Sequence, residues 1–247
     1  MKVLAIETSG ALGGFAVVDE GGLLAELVSD LTGSHVEQGV GMLEEVMDRA
    51  SVALSDLDGV AVSLGPGSFT GLRVGLSMAK GLCLGRNLLL VGVPTLDCIA
   101  QGLSYWEGTI IPVRDARRGE IYFSIYSAAT GTIKRLDDFL ALPPEGLLKR
   151  IEGLEGDSKI LLAGDGLARY GRLLRSRLGS QVAFAPQVFW TPRPAMVGTI
   201  GLGLLKEGRT ADLDRVEPMY VRASEAERQA RGRSRHGDHK HKENDGR

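Results

Sequence analysis

Apolar and polar positions alternate through the first thirty residues in three bursts. "KVLAIETS" (2–9), "GGFAVVDE" (13–20) and "LLAELVSD" (23–30) read as successive strands parted by glycine turns. The period then changes. Ser34 and Glu37 form a capping-box pair, and Val36, Val40, Leu43, Met47 and Ala50 recur at helical spacing. A buried-type run, "GVAVSL" (59–64), leads into "GPGSFTG", which holds Gly65, Gly67 and Gly71, and then into a helix of about 18 residues. "NLLLVGV" (87–93) predicts a further strand, and "PTLDCIAQGLSYW" (94–106) a helix with Pro94 in its first turn. The order βββαβαβα implies an α/β layered fold.

A second segment starts at residue 108. "TIIPVRDARRGEIYFSIYSA" predicts two strands joined by a charged turn. "KILLAG", "LARYGRLLRSRL" and "QVAFAP" follow as strand, helix and strand, and a last helix spans 195–206. The expected organisation is a first lobe over 1–107 and a smaller α/β lobe over 108–222, whose last helix can pack back on the first. Residues 223–247 are expected to form a disordered, basic and His-rich tail. From Ser224 onward the tail has no Ile, Leu, Val, Phe, Trp or Tyr, and seven Lys/Arg stand against five Asp/Glu. It therefore carries about +2 of a chain whose net charge is −2, leaving about −4 on the rest.

That acidic body argues against a general nucleic-acid coat. Two cysteines, Cys83 and Cys98, are too few for a disulfide framework and fit a reducing compartment. The longest uncharged apolar run, "PAMVGTIGLGLL", falls short of the ~20 residues a membrane span needs. A cytoplasmic protein that does not enter a membrane is expected.

The Gly-rich loop invites a phosphate reading, because strand, glycine loop and helix is how many proteins hold one. Yet Leu72-Arg73 follows Gly71 where a Walker A motif needs Lys-Ser/Thr, and the glycine spacing is not that of a dinucleotide fingerprint. The helix after the loop is unusual in its small residues. Gly71, Gly75, Ala79 and Cys83 make one row, and Ser77, Gly81 and Gly85 a second. Helical glycine costs up to ~1 kcal/mol against alanine, so some close approach must compensate. That approach is either to the protein's own sheet or to a helix of another subunit.

Other chemistry is thin. Only His35 among the four histidines lies outside the tail, and neither HExxH nor a CxxC pair occurs. A hydrolase triad would have to rest on His35, and no GxSxG is present. Glu7, Thr8 and Ser9 at a strand end, and Gly164, Asp165 and Gly166 at another, are candidate nucleotide-proximal residues. "VRDARRGEIY" (113–122) reads as a solvated hairpin, or as arginines available to a partner's carboxylates or to RNA phosphate.

Taken together, "LAIETS", "GPGSFTGLRVGLSMAKGL", "GVPTLD", "DARRGEIY" and "EPMYVR" resemble the TsaB family, formerly called YeaZ. The resemblance covers most of 1–222. It implies the actin-like, sugar-kinase and Hsp70-type fold: two ribonuclease-H-like α/β lobes, the second truncated. It also implies a non-catalytic subunit that binds and activates TsaD for threonylcarbamoyl transfer to adenosine in tRNA. TsaD holds a metal through an HxxxH pair; Thr95 and Ile99 stand in the matching stretch here, so the resemblance implies neither a catalytic residue nor a metal site. Glu7 stands where phosphate-binding members of the wider fold carry aspartate.

By the same resemblance the first lobe's helices pack against TsaD, or against a second copy in a homodimer. The interface would comprise Phe69, Thr70, Arg73, Val74, Ser77, Met78 and Gly81, with Val36 and Val40 from the preceding helix. TsaE, the small ATPase of the pathway, would join as a third component. tRNA would be met through the complex, and no cofactor is expected of the chain itself, although ATP could bind in the assembly. The competing reading is a stand-alone ATPase or small-molecule kinase using Glu7, Asp165 and the Gly-rich loop.

Overall fold

The computed structural model describes residues 1–31, 37–154 and 159–221. Two mixed sheets of related order form its frame. In the first, β1 (Lys2–Glu7), β2 (Leu12–Asp19) and β3 (Gly22–Asp30) run as an antiparallel meander, and β4 (Gly59–Gly65) and β5 (Leu89–Pro94) extend it in parallel on the other side of β1. The order is β3-β2-β1-β4-β5.

The second sheet repeats that plan without a visible repeat in sequence. β6 (Gly108–Asp115) pairs antiparallel with β7 (Ile121–Phe123), which pairs with β10 (Leu140–Leu142). β11 (Ile160–Ala163) and β12 (Val182–Phe184) add parallel strands on the opposite side of β6. A hairpin of β8 (Tyr126–Ala129) and β9 (Thr132–Arg135) diverges and pairs with the start of β6. Both sheets have the ribonuclease-H-like order, and together they make an actin-like fold.

Six helices fill the layers around the sheets among the described residues. Strand alternation decides which residues meet which layer. Leu4, Ile6, Phe15, Val17, Val60 and Val62 face α1 (Glu37–Ala50) and α2 (Phe69–Arg86). Val3, Ala5, Ala16, Val18 and Ala61 face the opposite way, against α6 (Pro194–Lys206). The small residues on this side let α6 approach closely: a Cβ on Gly201 would lie 2.3 Å from the Ala61 Cβ. This explains why α6 is apolar nearly all round. α3 (Thr95–Gln101) packs on the second sheet through Leu96, Ile99 and Ala100, while α4 (Pro144–Glu152) and α5 (Gly166–Leu178) cover its far face.

Several expectations need adjustment. Pro94 ends β5 and sits just outside α3, which stops at Gln101 because the chain turns repeatedly through 102–105. β9 and β10 escaped the sequence reading because they are short, and α4 escaped it although Pro144, Leu147, Leu148 and Ile151 recur at helical spacing. Of the proposed capping box, Ser34 lies outside the described residues, as do the expected tail, His35 and Val36.

The two rows of small residues on α2 separate cleanly. Gly71, Gly75, Ala79 and Cys83 are buried, so this row packs on the protein's own sheet. A Cβ on Gly71 would come 2.1 Å from the Thr8 carbonyl oxygen, and one on Gly75 would come 2.1 Å from Thr8 Oγ1. The Thr8 hydroxyl donates to the Gly71 carbonyl at 2.8 Å. Gly81 and Gly85 face open space. Gly75→Ala is accordingly expected to destabilise the protein by about 1–3 kcal/mol through overpacking. Gly81→Ala should instead leave it unchanged or more stable by up to about 1 kcal/mol. Urea midpoints of the two variants measured side by side check this; equal effects would contradict the assigned helix rotation.

Candidate functional site

Two surfaces come together around the N-terminus of α2. The first is a cleft between the lobes, of about 660 Å³, where the C-terminal ends of β1 and β6 meet the Gly-rich loop and the start of α5. In open α/β sheets this end of the strands is where ligands usually bind. The other is the outward face of α2.

The floor of the cleft is built by Arg114. Its side chain, only 4% exposed, crosses from the second lobe to the first. One terminal amino group donates to Ser9 Oγ at 2.7 Å and to the Pro66 carbonyl at 3.0 Å. The other donates to the Ser9 carbonyl at 3.1 Å and to Asp165 Oδ2 at 3.2 Å. The second Asp165 oxygen accepts from the Asp115 backbone N–H at 3.1 Å. Gly67 and Gly10 make room for this guanidinium: Cβ atoms there would lie 3.0 and 3.1 Å from it. The solvated hairpin expected for 113–122 is therefore corrected at Arg114, which is buried because a carboxylate and three oxygens of the first lobe satisfy it. The turn itself takes three successive left-handed residues, Arg117, Arg118 and Gly119.

Of the nucleotide-proximal candidates, Ser9 and Asp165 line the cleft. Glu7 and Thr8 do not. Glu7 is wholly buried, and its Oε1 accepts from the Ser9 N–H at 2.5 Å. Its Oε2, Ser63 Oγ and Thr95 Oγ1 lack hydrogen-bond partners among the described residues, although the Ser63 hydroxyl lies near the Glu7 carboxyl. Gly164 is a packing glycine: it has φ +124°, and a Cβ would strike the Val113 carbonyl oxygen at 2.1 Å. Gly166 packs likewise, on Val113 and Arg114 at 3.0 Å. Thr95 and Ile99 sit one turn apart on α3, both buried. Among the described residues no three His, Cys, Asp or Glu side chains gather as metal ligands.

The outward face of α2 holds the remaining candidates. Phe69, Thr70, Arg73, Ser77 and Gly81 are exposed, while Val74 and Met78 are half-buried. Val40 on α1 is 52% exposed, and Met78 reaches towards Gly39 of the same helix. Arg73, Val74, Ser77 and Met78 line a shallow groove of about 420 Å³. Ser68 caps the helix by accepting from the Gly71 N–H at 3.2 Å, and its own N–H donates to the Ser9 carbonyl at 2.7 Å. The helix start, the end of β1 and Arg114 thus form one connected network. Arg114 and Tyr220 were missed as site residues. Arg114 sits within a charge run that reads as solvent-facing, and nothing local in "EPMYVR" reveals a long-range contact.

A family model described as TsaD, tRNA N6-adenosine threonylcarbamoyltransferase, matches residues 17–229. The tRNA threonylcarbamoyladenosine biosynthesis protein TsaB of Bacillus subtilis (strain 168) is 28% identical over 230 residues, covering 92% of this chain and 96% of its own length. TsaB of Escherichia coli (strain K12) is likewise 28% identical, over 90% of this chain and 95% of its own. YeaZ from Pseudomonas aeruginosa superposes with a TM-score of 0.75 at 23% identity, covering 89% of this chain and 99% of the other. The chain belongs to the TsaD family, in its TsaB/YeaZ branch. No helix among the described residues is long and apolar enough to cross a membrane.

Two outcomes follow from the buried groups. Burial pushes the Glu7 carboxyl above its ordinary value of 4.5, outweighing the Ser9 hydrogen bonds and the nearby Arg114 charge. The folded state therefore holds this proton more tightly than the unfolded chain. Its contribution to stability falls as pH rises from 4.5 through the raised value. Glu7→Gln is expected to remove that part of the pH dependence in urea midpoints, and identical profiles would refute it. Asp165→Ala leaves Arg114 without its carboxylate and is expected to cost about 1–3 kcal/mol. Unchanged unfolding would mean that Ser9 and Pro66 suffice.

Proposed function

We propose that this chain is a non-catalytic subunit of tRNA threonylcarbamoyladenosine biosynthesis, binding and activating a TsaD-type transferase through the outward face of α2 with α1 alongside. The observation that carries the reading is the split of α2 into a buried small-residue row seated on Thr8 and an exposed face of Phe69, Arg73, Ser77 and Gly81. The TsaB names of the curated relatives support the pathway. In this reading residues 1–107 are the interface lobe and 108–222 the second, smaller lobe. TsaE joins as a third component in the cytoplasm, and tRNA is met through the complex. ATP, where bound, belongs to the assembly.

The internal engagement of Arg114 on the cleft floor supports the same reading over a stand-alone ATPase or kinase. Arg114 is already engaged by Ser9, Pro66 and Asp165, so a phosphate approaching that guanidinium would have to displace internal partners.

The test uses the purified full-length chain, alone and mixed with the transferase. The protein alone is expected to turn over no ATP, and modified adenosine should form only in the mixture. Gly81→Arg, on the exposed row, should melt like wild type yet lose about tenfold or more in affinity for the transferase. ATP turnover by the lone protein would overturn the reading, as would full activation by Gly81→Arg.

A further inference from the structure

After α6 the chain returns across the first lobe as an extended strap. The Ala211 N–H donates to the Leu90 carbonyl at 2.7 Å, and Ala211, Leu213 and Val216 pack on the first-lobe core. The Met219 N–H donates to the Leu64 carbonyl at 2.7 Å, at the threshold of the Gly-rich loop. This delivers Tyr220 to the start of α2. The Tyr220 and Phe69 rings lie 5.9 Å apart, the Arg73 guanidinium sits 3.8 Å over the Phe69 ring, and Arg73 Nε donates to the Tyr220 hydroxyl at 3.3 Å.

The arrangement is built and half-exposed: Phe69 is 55% and Tyr220 45% exposed. The guanidinium is oriented by an aromatic face and by one hydrogen bond through Nε. Its two terminal amino groups have no partner among the described residues. A planar fork held this way matches a carboxylate, which accepts two parallel N–H bonds. Beside it runs the shallow groove over Val74, Ser77 and Met78, whose exposed lining is largely apolar. Aromatic and arginine anchors next to apolar ground are the composition of protein-interface hot spots.

We propose that the C-terminal strap completes the docking surface, and that the Phe69–Arg73–Tyr220 stack receives a carboxylate from an amphipathic helix of the partner whose apolar side lies in the Val74–Met78 groove. The inference rests on the partner reading above and names the chemistry on the partner's side. Tyr220 acts through Arg73 and is a positioning residue.

The test is calorimetric affinity of the full-length chain for the transferase, with each variant's mass by light scattering and its melting temperature. Arg73→Ala and Arg73→Lys are expected to weaken binding by about tenfold or more, because an ammonium cannot make the paired contact. Tyr220→Ala should weaken it about fivefold, and Tyr220→Phe, which keeps the ring on Phe69 but loses the hydroxyl that accepts from Arg73 Nε, about threefold. Raising salt from about 50 to about 500 mM should weaken wild type more than Arg73→Ala.

Arg73→Ala binding like wild type, or with the same salt response, would overturn the carboxylate. Tyr220→Ala binding like wild type would overturn the role of the strap. Transferase binding by wild type with no response in any variant sinks this inference alone. Absence of transferase binding by wild type sinks the preceding reading as well, and a homodimer that depends on Arg73 would replace the proposed occupant by a second copy.

Discussion

The approach of α2 to the end of β1 governs much of what the first lobe presents. Gly71 and Gly75 bring the helix backbone against Thr8, closer than any side chain would allow. The Thr8 hydroxyl ties to the Gly71 carbonyl and the Ser68 N–H to the Ser9 carbonyl, so both the translation and the rotation of the helix are set at its first turns. Each residue of an α-helix advances about 100° around the axis. A rotation by one residue would turn Arg73 towards the sheet and bring Gly75 off Thr8. The outward composition of α2 is therefore a consequence of packing on its inner side, and the docking reading inherits its geometry from that contact.

Arg114 does for the two lobes what Thr8 does for the helix. A nearly buried guanidinium is costly unless its donors are matched, and here four oxygen contacts match the terminal amino groups while Nε stays unpartnered. Three of those contacts belong to the first lobe and the fourth to the start of α5, so opening the cleft means breaking charge-assisted bonds. The same atoms hold Ser9, which in turn holds the helix cap at Ser68. Inter-lobe closure and the placement of α2 are thus joined through a few residues. The floor of the cleft is fixed by bonds internal to the chain.

Most of the frame was legible because its signals are local. The meander, the glycine loop leading into α2, the buried run of β4 and the all-apolar α6 each follow from period and turn residues, whereas the division into two lobes came from the element order and the family resemblance. β9 and β10 were not legible, since strands of four and three residues without a buried position carry no period, whereas α4 was overlooked although Pro144, Leu147, Leu148 and Ile151 recur at helical spacing. The candidate site divides in the same way. The α2 face could be read from spacing once its inner row was known, but spacing alone left both small-residue rows equivalent. Arg114 and Tyr220 could not be read at all, because the contacts that define them span 105 and 147 residues. Glu7 was misplaced for a related reason: a carboxylate at a strand end reads as cleft-facing, and only the packing around it shows a buried group.

The outer glycines of α2 remain to be accounted for within the fold. Gly71 and Gly75 recover their helical cost through the contact with Thr8, but Gly81 and Gly85 meet nothing within 4 Å and gain no internal compensation. Exposed helical glycine is disfavoured by up to ~1 kcal/mol against alanine. Nothing among the described residues offsets that cost, so an external contact is the physical alternative: a second helix lying close along the exposed row, where a Cβ would hold it off. The groove beside Arg73 and the stack completed by Tyr220 lie on the same helix, which makes the glycine row, the groove and the cation–aromatic anchor three parts of one surface.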